Sequence, residues 1–268
     1  MWSVKIEVWN IFVMFLTSVL ETNIKHKTFF NEIIYYPSTK STNSDIWNLY
    51  KKFPEKYLII TDNQIAGRGR GLNSWLSTTN KSITCSFILD QIYSLELFNF
   101  HSLIIPLSII KGIKKYLSID LQIKWPNDIM YKNFKVGGVL IETKQYSKKY
   151  VFNIGIGINV NEDMNDFNNT LKNKAISLKM ITGNSIQREL LLGYIINELY
   201  NIINNDNLNK IKSDWLKSCN HINRDIIFMY KQKSIKGLFK TINDYGQAMI
   251  KYNQKLITYE GEIKFSWN

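Results

Sequence analysis

The chain has 268 residues, 45% of them hydrophobic and 13% aromatic, which suits one large or two modest folded domains and excludes a disordered tail. Its 34 Lys and Arg against 22 Asp and Glu give a net charge of +12, but the excess forms no run of five or six like charges and no DNA-reading motif accompanies it. Cys85 and Cys219 stand alone and His26, His101 and His221 lie far apart, so no zinc site, disulfide framework or covalent nucleophile is readable, and a reducing compartment is the default.

Residues 11–20 are apolar apart from Thr17 and Ser18, with Lys5 upstream and Glu21 closing the stretch. The segment is too short to span a bilayer comfortably. It reads either as the apolar part of a leader or as an extra helix or strand on the core, and both readings stand. A strand is predicted over 33–36, stopped by Pro37. A polar turn at 38–43 supplies cap residues for a helix over 44–53, where Ile46, Leu49 and Tyr50 share helical spacing.

Between apolar runs at 58–60 and 83–89 lies a long loop, Gln64-Ile65-Ala66-Gly67-Arg68-Gly69-Arg70-Gly71-Leu72-Asn73-Ser74-Trp75. Its alternate glycines free the backbone to approach a ligand closely. The arginines between them are planar donors that keep their charge. Such a loop suits a small anion, a carboxylate and a phosphate together; the plain alternative is a solvated turn.

A helix is predicted over 98–117 from Leu103, Leu107, Ile110 and Leu117, with Pro106 implying a kink or a later start. A β-rich stretch follows: a strand at 121–125, a turn at 126–128, a hairpin over 129–143 and a strand at 150–160. Gly155 and Gly157 inside that last strand mark close approach of a ligand or another backbone. After an Asn/Asp-rich loop at 161–173 come helices over 186–204 and 208–216. Alternating strands at 226–230, 235–242, 248–252 and 255–259 then suggest a small barrel-like module beyond a boundary near 220.

Four segments join the loop in a fixed order: Ser41-Thr42-Asn43, Lys124-Trp125-Pro126-Asn127-Asp128, Lys135-Val136-Gly137-Gly138-Val139-Leu140-Ile141-Glu142 and Gly155-Ile156-Gly157-Ile158-Asn159-Val160. With these five motifs in register, residues 30–268 resemble biotin–protein ligase, also called holocarboxylase synthetase. The resemblance implies an α+β fold: a mixed sheet with flanking helices, as in class II aminoacyl-tRNA synthetases and biotin–lipoate ligases, plus a small C-terminal SH3-like β-barrel. It implies an N-terminal extension or leader at 1–29, a biotin- and ATP-binding catalytic domain at 30–220 and a β domain at 221–268. About thirty residues precede the catalytic region, too few for the DNA-binding domain of bifunctional members, so no DNA partner is expected.

The implied reaction activates biotin with MgATP to biotinyl-5′-adenylate and passes the biotinyl group to a lysine of a carboxylase's biotin carboxyl carrier domain. The co-substrates are biotin and ATP with its Mg2+, with no prosthetic group. The resemblance assigns Arg68, Arg70 and Lys135 to the carboxylate and phosphate, two anions that repel until fixed positive charge meets them. It assigns Ser41, Thr42, Asn43 and Gln64 to the ureido ring, whose carbonyl and two N–H groups suit hydroxyl and amide readers. Gly67, Gly69, Gly138, Gly155 and Gly157 allow close approach, and Trp75 packs near the adenylate. Asn127, Asp128, Asn159 and Arg188 are the remaining nucleotide candidates; Trp125 reads as a structural wall, and no metal ligand set is assigned. Many bacterial members carry Gly-Arg-Gly-Arg-Arg-Gly-Arg in the loop. Here Arg70 is followed by Gly71-Leu72-Asn73-Ser74, the shorter form similar to eukaryotic-type members, so retention of the adenylate is the property in question.

The alternatives are a lipoate or octanoate ligase of the same fold and a non-catalytic biotin- or nucleic-acid-binding module. The first usually carries an Arg-Arg-x-Ser-Gly-Gly-Gly type loop, which is not found here, and the charged loop argues against the second. A monomer or homodimer without stable membrane association is expected, cytoplasmic by default or in a plastid-type organelle if the N-terminal segment is a leader.

Overall fold

The computed structural model describes residues 14–71, 73–91, 98–146 and 149–265. Residues 11–13 of the apolar N-terminal stretch and Leu72 of the Gly/Arg loop lie outside them. The main sheet has seven strands in the order β1-β2-β5-β9-β8-β7-β6. These are β1 (Glu32–Thr39), β2 (Tyr57–Gln64), β5 (Ile83–Gln91), β6 (Gln122–Lys124), β7 (Asp128–Tyr131), β8 (Phe134–Tyr146) and β9 (Lys149–Ile158). Only β1 and β2 run parallel; the remaining pairs are antiparallel, so the sheet is mixed, as expected.

Strand alternation gives the sheet two unlike faces. Cys85 and Phe87 of β5, with Ile154, Ile156 and Ile158 of β9, join the main core with α3 (Phe98–Leu117), α5 (Arg188–Asn205) and α6 (Leu208–Ser218). The opposite face carries Thr84, Ser86 and Ile88 of β5 and Asn153, Gly155 and Gly157 of β9. The helix α2 (Thr42–Lys52) covers one end of it, laying Ile46, Trp47 and Tyr50 on Ile59, Ile88 and Val151. The rest of that face is left to the ligand cavity.

The N-terminal stretch, as far as it is described, belongs to the core. Phe15, Leu20 and Ile24 are buried around α1 (Thr17–Asn23), and the Phe15 N–H donates to Asp62 Oδ2 at 3.0 Å. Pro37 does not stop β1, which runs on to Thr39. As an edge strand paired only with β2, β1 has no second ladder for the proline to break. Pro106 likewise sits inside a helix that starts at Phe98.

Two short strands, β3 (Gly67–Arg68) and β4 (Ser74–Trp75), pair within the Gly/Arg loop, and the short helix α4 (Leu178–Thr182) follows the Asn/Asp-rich segment. The C-terminal module is a five-stranded antiparallel sheet of β10 (Asp225–Tyr230), β11 (Lys233–Ile242), β12 (Ala248–Tyr252), β13 (Lys255–Tyr259) and β14 (Ile263–Phe265), ordered β13-β12-β11-β10-β14. Among the described residues no ladder joins β13 to β14, so the expected barrel is present as this sheet. Trp125 anchors it: its Nε1 donates to the Gly246 carbonyl at 3.0 Å and its ring packs near Phe239 and Tyr259. No described helix is long and apolar enough to cross a membrane.

Candidate ligand cavity

The uncovered part of the sheet is the floor of a cavity of about 370 Å³, roofed by the Gly/Arg loop and closed at one side by β14. Three rungs of the β5-β9-β8 ladder order it: Ile88–Asn153–Glu142, then Ser86–Gly155–Leu140, then Thr84–Gly157–Gly138. Four residues of β8 separate the outer rungs, about 13 Å of strand.

The middle rung carries neutral polar groups, supplied where α2 begins, whereas the first rung ends on the Glu142 carboxylate. The Thr42 N–H donates to Gln64 Oε1 at 2.9 Å, which leaves the Gln64 amide N–H groups for a ligand. Thr42 Oγ1 lies 2.7 Å from Ser86 Oγ, and Ser86 donates to Asn43 Oδ1 at 2.6 Å. Ser41 is the N-cap residue by backbone geometry, yet its buried side chain makes no capping hydrogen bond and faces the cavity instead. Gly155 is required here: a Cβ on it would come within 2.2 Å of Asn43 Oδ1. Gly67 lies outside the cavity wall, where its missing Cβ lets the Gln64 amide and the Trp75 carbonyl pack close.

Charge gathers at the third rung. Lys135 Nζ lies 2.5 Å from Asp128 Oδ1, and Lys124 Nζ lies 3.7 Å from Asp128 Oδ2, both beside Gly138. Lys264 of β14 reaches the same cavity from the C-terminal sheet. Arg70 donates from Nη1 to the Gly261 carbonyl at 2.8 Å, tying the loop to that sheet, while the Gly69 N–H closes the loop on the Asn73 carbonyl at 2.7 Å. The Trp75 ring rests on Gly157, where a Cβ would overlap it, and among the described residues its Nε1 is buried without a partner, as is the Thr84 hydroxyl. Asn127 lines the cavity and donates to the Val139 carbonyl at 2.6 Å. Four cationic side chains, Arg70, Lys124, Lys135 and Lys264, against the two carboxylates of Asp128 and Glu262 make this wall electropositive.

Besides Gly67, three sequence-based assignments change. Arg188 is 5% exposed and bonds Asp62 Oδ1 at 2.6 Å and the Ser82 carbonyl at 3.1 Å, with its guanidinium over the Phe15 ring. That buried pair places it outside the cavity and removes it from the nucleotide candidates. Asn159 is buried, with Nδ2 3.4 Å from the carbonyls of Lys135 and Ile176; it reaches only an adjoining cavity of about 830 Å³ shared by Trp75, Asp128 and Lys135. Arg68 is separated from Lys135. Its Nη2 lies 3.0 and 3.2 Å from the two oxygens of Glu142, on the rung farthest from the lysines. Glu142, quoted in a motif but assigned no role, also accepts hydrogen bonds from Asn43 Nδ2 and Trp47 Nε1, both 3.1 Å, and Asn153 Nδ2 at 3.3 Å. Among the described residues no group of three His, Cys, Asp or Glu side chains is arranged to hold a metal.

A mixed-sheet α+β domain with one polar and electropositive cleft is thus defined. Residues 35–161, which carry all three of these rungs, match the sequence model of the biotin/lipoate A/B protein ligase family. The bifunctional ligase/repressor BirA of Bacillus subtilis is 32% identical over 181 residues, covering 67% of this chain and 56% of that protein. The chloroplastic biotin–protein ligase 1 of Arabidopsis thaliana is 28% identical over 184 residues, covering 66% and 48%. The chain therefore spans about half the length of the curated relatives it matches. Biotin protein ligase from Aquifex aeolicus, solved in complex with biotin and ATP, shares the fold with a TM-score of 0.69 and 24% identity over 88% of this chain and 100% of that one. The Leishmania major biotin protein ligase, solved with biotinyl-5-AMP, has a TM-score of 0.60 at 19% identity, over 86% and 99%.

Proposed function

We propose that the chain is a biotin–protein ligase. It joins the biotin carboxylate to the α-phosphate of ATP, releases pyrophosphate, and transfers the biotinyl group to a lysine amine of a biotin carboxyl carrier domain with release of AMP. The observation that carries the reading is the polarity of the cavity. Neutral readers at the Gly155 rung suit a urea, and the cluster of Lys135, Lys124 and Asp128 at the Gly138 rung suits a carboxylate meeting a phosphate. The family-model match of residues 35–161 and the names of the relatives support it.

Lys135 supplies compact positive charge at the acyl-phosphate oxygens, and the loop excludes water that would hydrolyse the mixed anhydride. Mg2+ arrives on the ATP phosphates; Asp128 and Glu262 are the cavity carboxylates that can meet it, which fits a metal bound by one or two carboxylates plus phosphate. A lipoyl or octanoyl substrate has no urea, and would leave the buried polar groups of Thr42, Asn43 and Ser86 without a ligand partner.

Biotin-dependent ATP–pyrophosphate exchange, with lipoate and octanoate as controls, tests the proposal. Exchange with lipoate in place of biotin would overturn it, and no exchange with any of the three acids would favour a binding module.

A further inference from the structure

The cavity has a cation at each end, and one of them is already neutralised. Glu142 projects from β8 on the rung shared with Asn153, two residues from Leu140 and four from Gly138. Three neutral donors on two different elements, Asn43 and Trp47 of α2 and Asn153 of β9, converge on its Oε2. The carboxylate is held from three sides and does not follow the loop. Arg68, 46% exposed, meets it through Nη2 alone. Among the described residues its Nη1 and Nε make no hydrogen bond, and the side chain lines the cavity beside Asn43.

The geometry points to Glu142 as a positioning residue that holds Arg68 at the urea end of the cavity, where its unused N–H groups donate to the urea carbonyl. The two loop arginines thereby divide the work. Arg68 reads the ring, with its charge balanced by Glu142, while the acyl-phosphate end is left to Lys135 and Arg70. The inference rests on the biotin reading. Its physical basis is that a carboxylate fixed by three hydrogen bonds orients the guanidinium it pairs with, and a charge-assisted N–H donates strongly to a urea oxygen while Glu142 balances the charge.

The test compares biotin with biotin methyl ester, which keeps the urea and lacks the carboxylate, by calorimetric titration of the full chain. Glu142→Gln retains an acceptor for Asn43, Trp47 and Asn153 and removes only the charge that holds Arg68. Arg68→Ala and Glu142→Gln are each expected to weaken both ligands by the same factor, about tenfold. The double variant is expected to be no weaker than either single one, because Glu142 acts through Arg68. Losses that multiply in the double variant would make Glu142 merely structural, and an Arg68→Ala loss confined to biotin would make Arg68 an anion clamp; either overturns the inference. A wild-type chain that binds neither ligand would defeat the ligase reading itself.

Discussion

Lys135 Nζ sits 2.5 Å from Asp128 Oδ1, across the β7–β8 pairing at Gly138, so the lysine with the most direct access to the cavity floor is held by a carboxylate on the neighbouring strand. Both side chains are part-exposed, and the pair contributes little to stability. Its value lies in placing a cation at one point. Lys135→Ala is expected to depress biotin-dependent pyrophosphate exchange by about 10²–10³-fold, the range for removing one preorganised charge-stabilising donor, with an unaltered melting temperature. Near-normal exchange in that variant would take Lys135 out of the chemistry.

Gly155 and Asn43 occupy nearly the same space over the middle rung. An alanine there meets Asn43 Oδ1, which accepts from Ser86 while Asn43 Nδ2 donates to Glu142, so the neighbour cannot give way without breaking the polar array. Gly155→Ala should lower stability by about 1–3 kcal/mol, the usual cost of overpacking, and weaken biotin binding more than hundredfold. Chemical denaturation and equilibrium titration measure the two effects separately. A variant that binds biotin normally would show that Asn43 does not read the ligand.

Much of this floor was legible in the sequence, because glycines in the middle of an apolar strand have no packing reason to be there. The same held for α2, whose N-terminal Ser-Thr-Asn run announced both a helix start and a polar cavity rim. Glu142 was hidden because a lone glutamate near a strand end reads as solvent-facing. Its parity with Gly138 and Leu140 was the one available signal. Arg188 was misread for the opposite reason: an arginine opening a helix after a polar loop looks like a phosphate contact, and its true partner, Asp62, lies 126 residues away. The short strand β14 has three residues, too few to show alternation, yet it delivers Lys264, and Glu262 just ahead of it, to the cavity.

Arg70 fixes the loop to the C-terminal sheet through the Gly261 carbonyl, and Asn73 adds a weaker tie to Glu262 at 3.4 Å. Beyond Arg70 the loop has no further cation, so this tie does most to keep the roof closed. Arg70→Gly is expected to raise the dissociation rate of biotinyl-5′-adenylate by about tenfold or more while the fold stays intact. Release of the adenylate from preloaded protein, followed in a chase with unlabelled biotin, gives the rate. An unchanged rate would place the closure elsewhere.

The Arg188–Asp62 pair is structural, and its prediction separates it from the site. Asp62 also accepts hydrogen bonds from the Tyr35 hydroxyl at 2.6 Å and from the Phe15 N–H, so it joins α5, β1 and the N-terminal stretch. Removing the guanidinium leaves that carboxylate buried without its counter-charge. Arg188→Ala should cost about 3–5 kcal/mol of stability, yet the folded protein at low temperature should keep the wild-type KM for ATP. A raised KM with little loss of stability would return Arg188 to the nucleotide site.

Glu162 closes β9's continuation beneath the Asn/Asp-rich loop, with one oxygen on the Ser82 hydroxyl and Oε2 buried without a partner among the described residues. Burial pushes its pKa up to about 7 from an ordinary 4.5, against the opposing effect of the Ser82 hydrogen bond. The folded chain therefore holds a proton that the unfolded chain has lost across this window. The contribution of Glu162 to stability is complete below about pH 4.5 and is lost as pH rises through about 7. Glu162→Gln, which mimics the neutral form, should match the wild type near pH 4 and exceed it at pH 8 by on the order of 3 kcal/mol. His221, which burial pushes down to about 3, titrates alike in both proteins and drops out of the difference. Denaturant unfolding of the pair from pH 4 to pH 8 decides the matter: two parallel stability curves would mean that Glu162 stays ionised in the fold, with its second oxygen solvated after all.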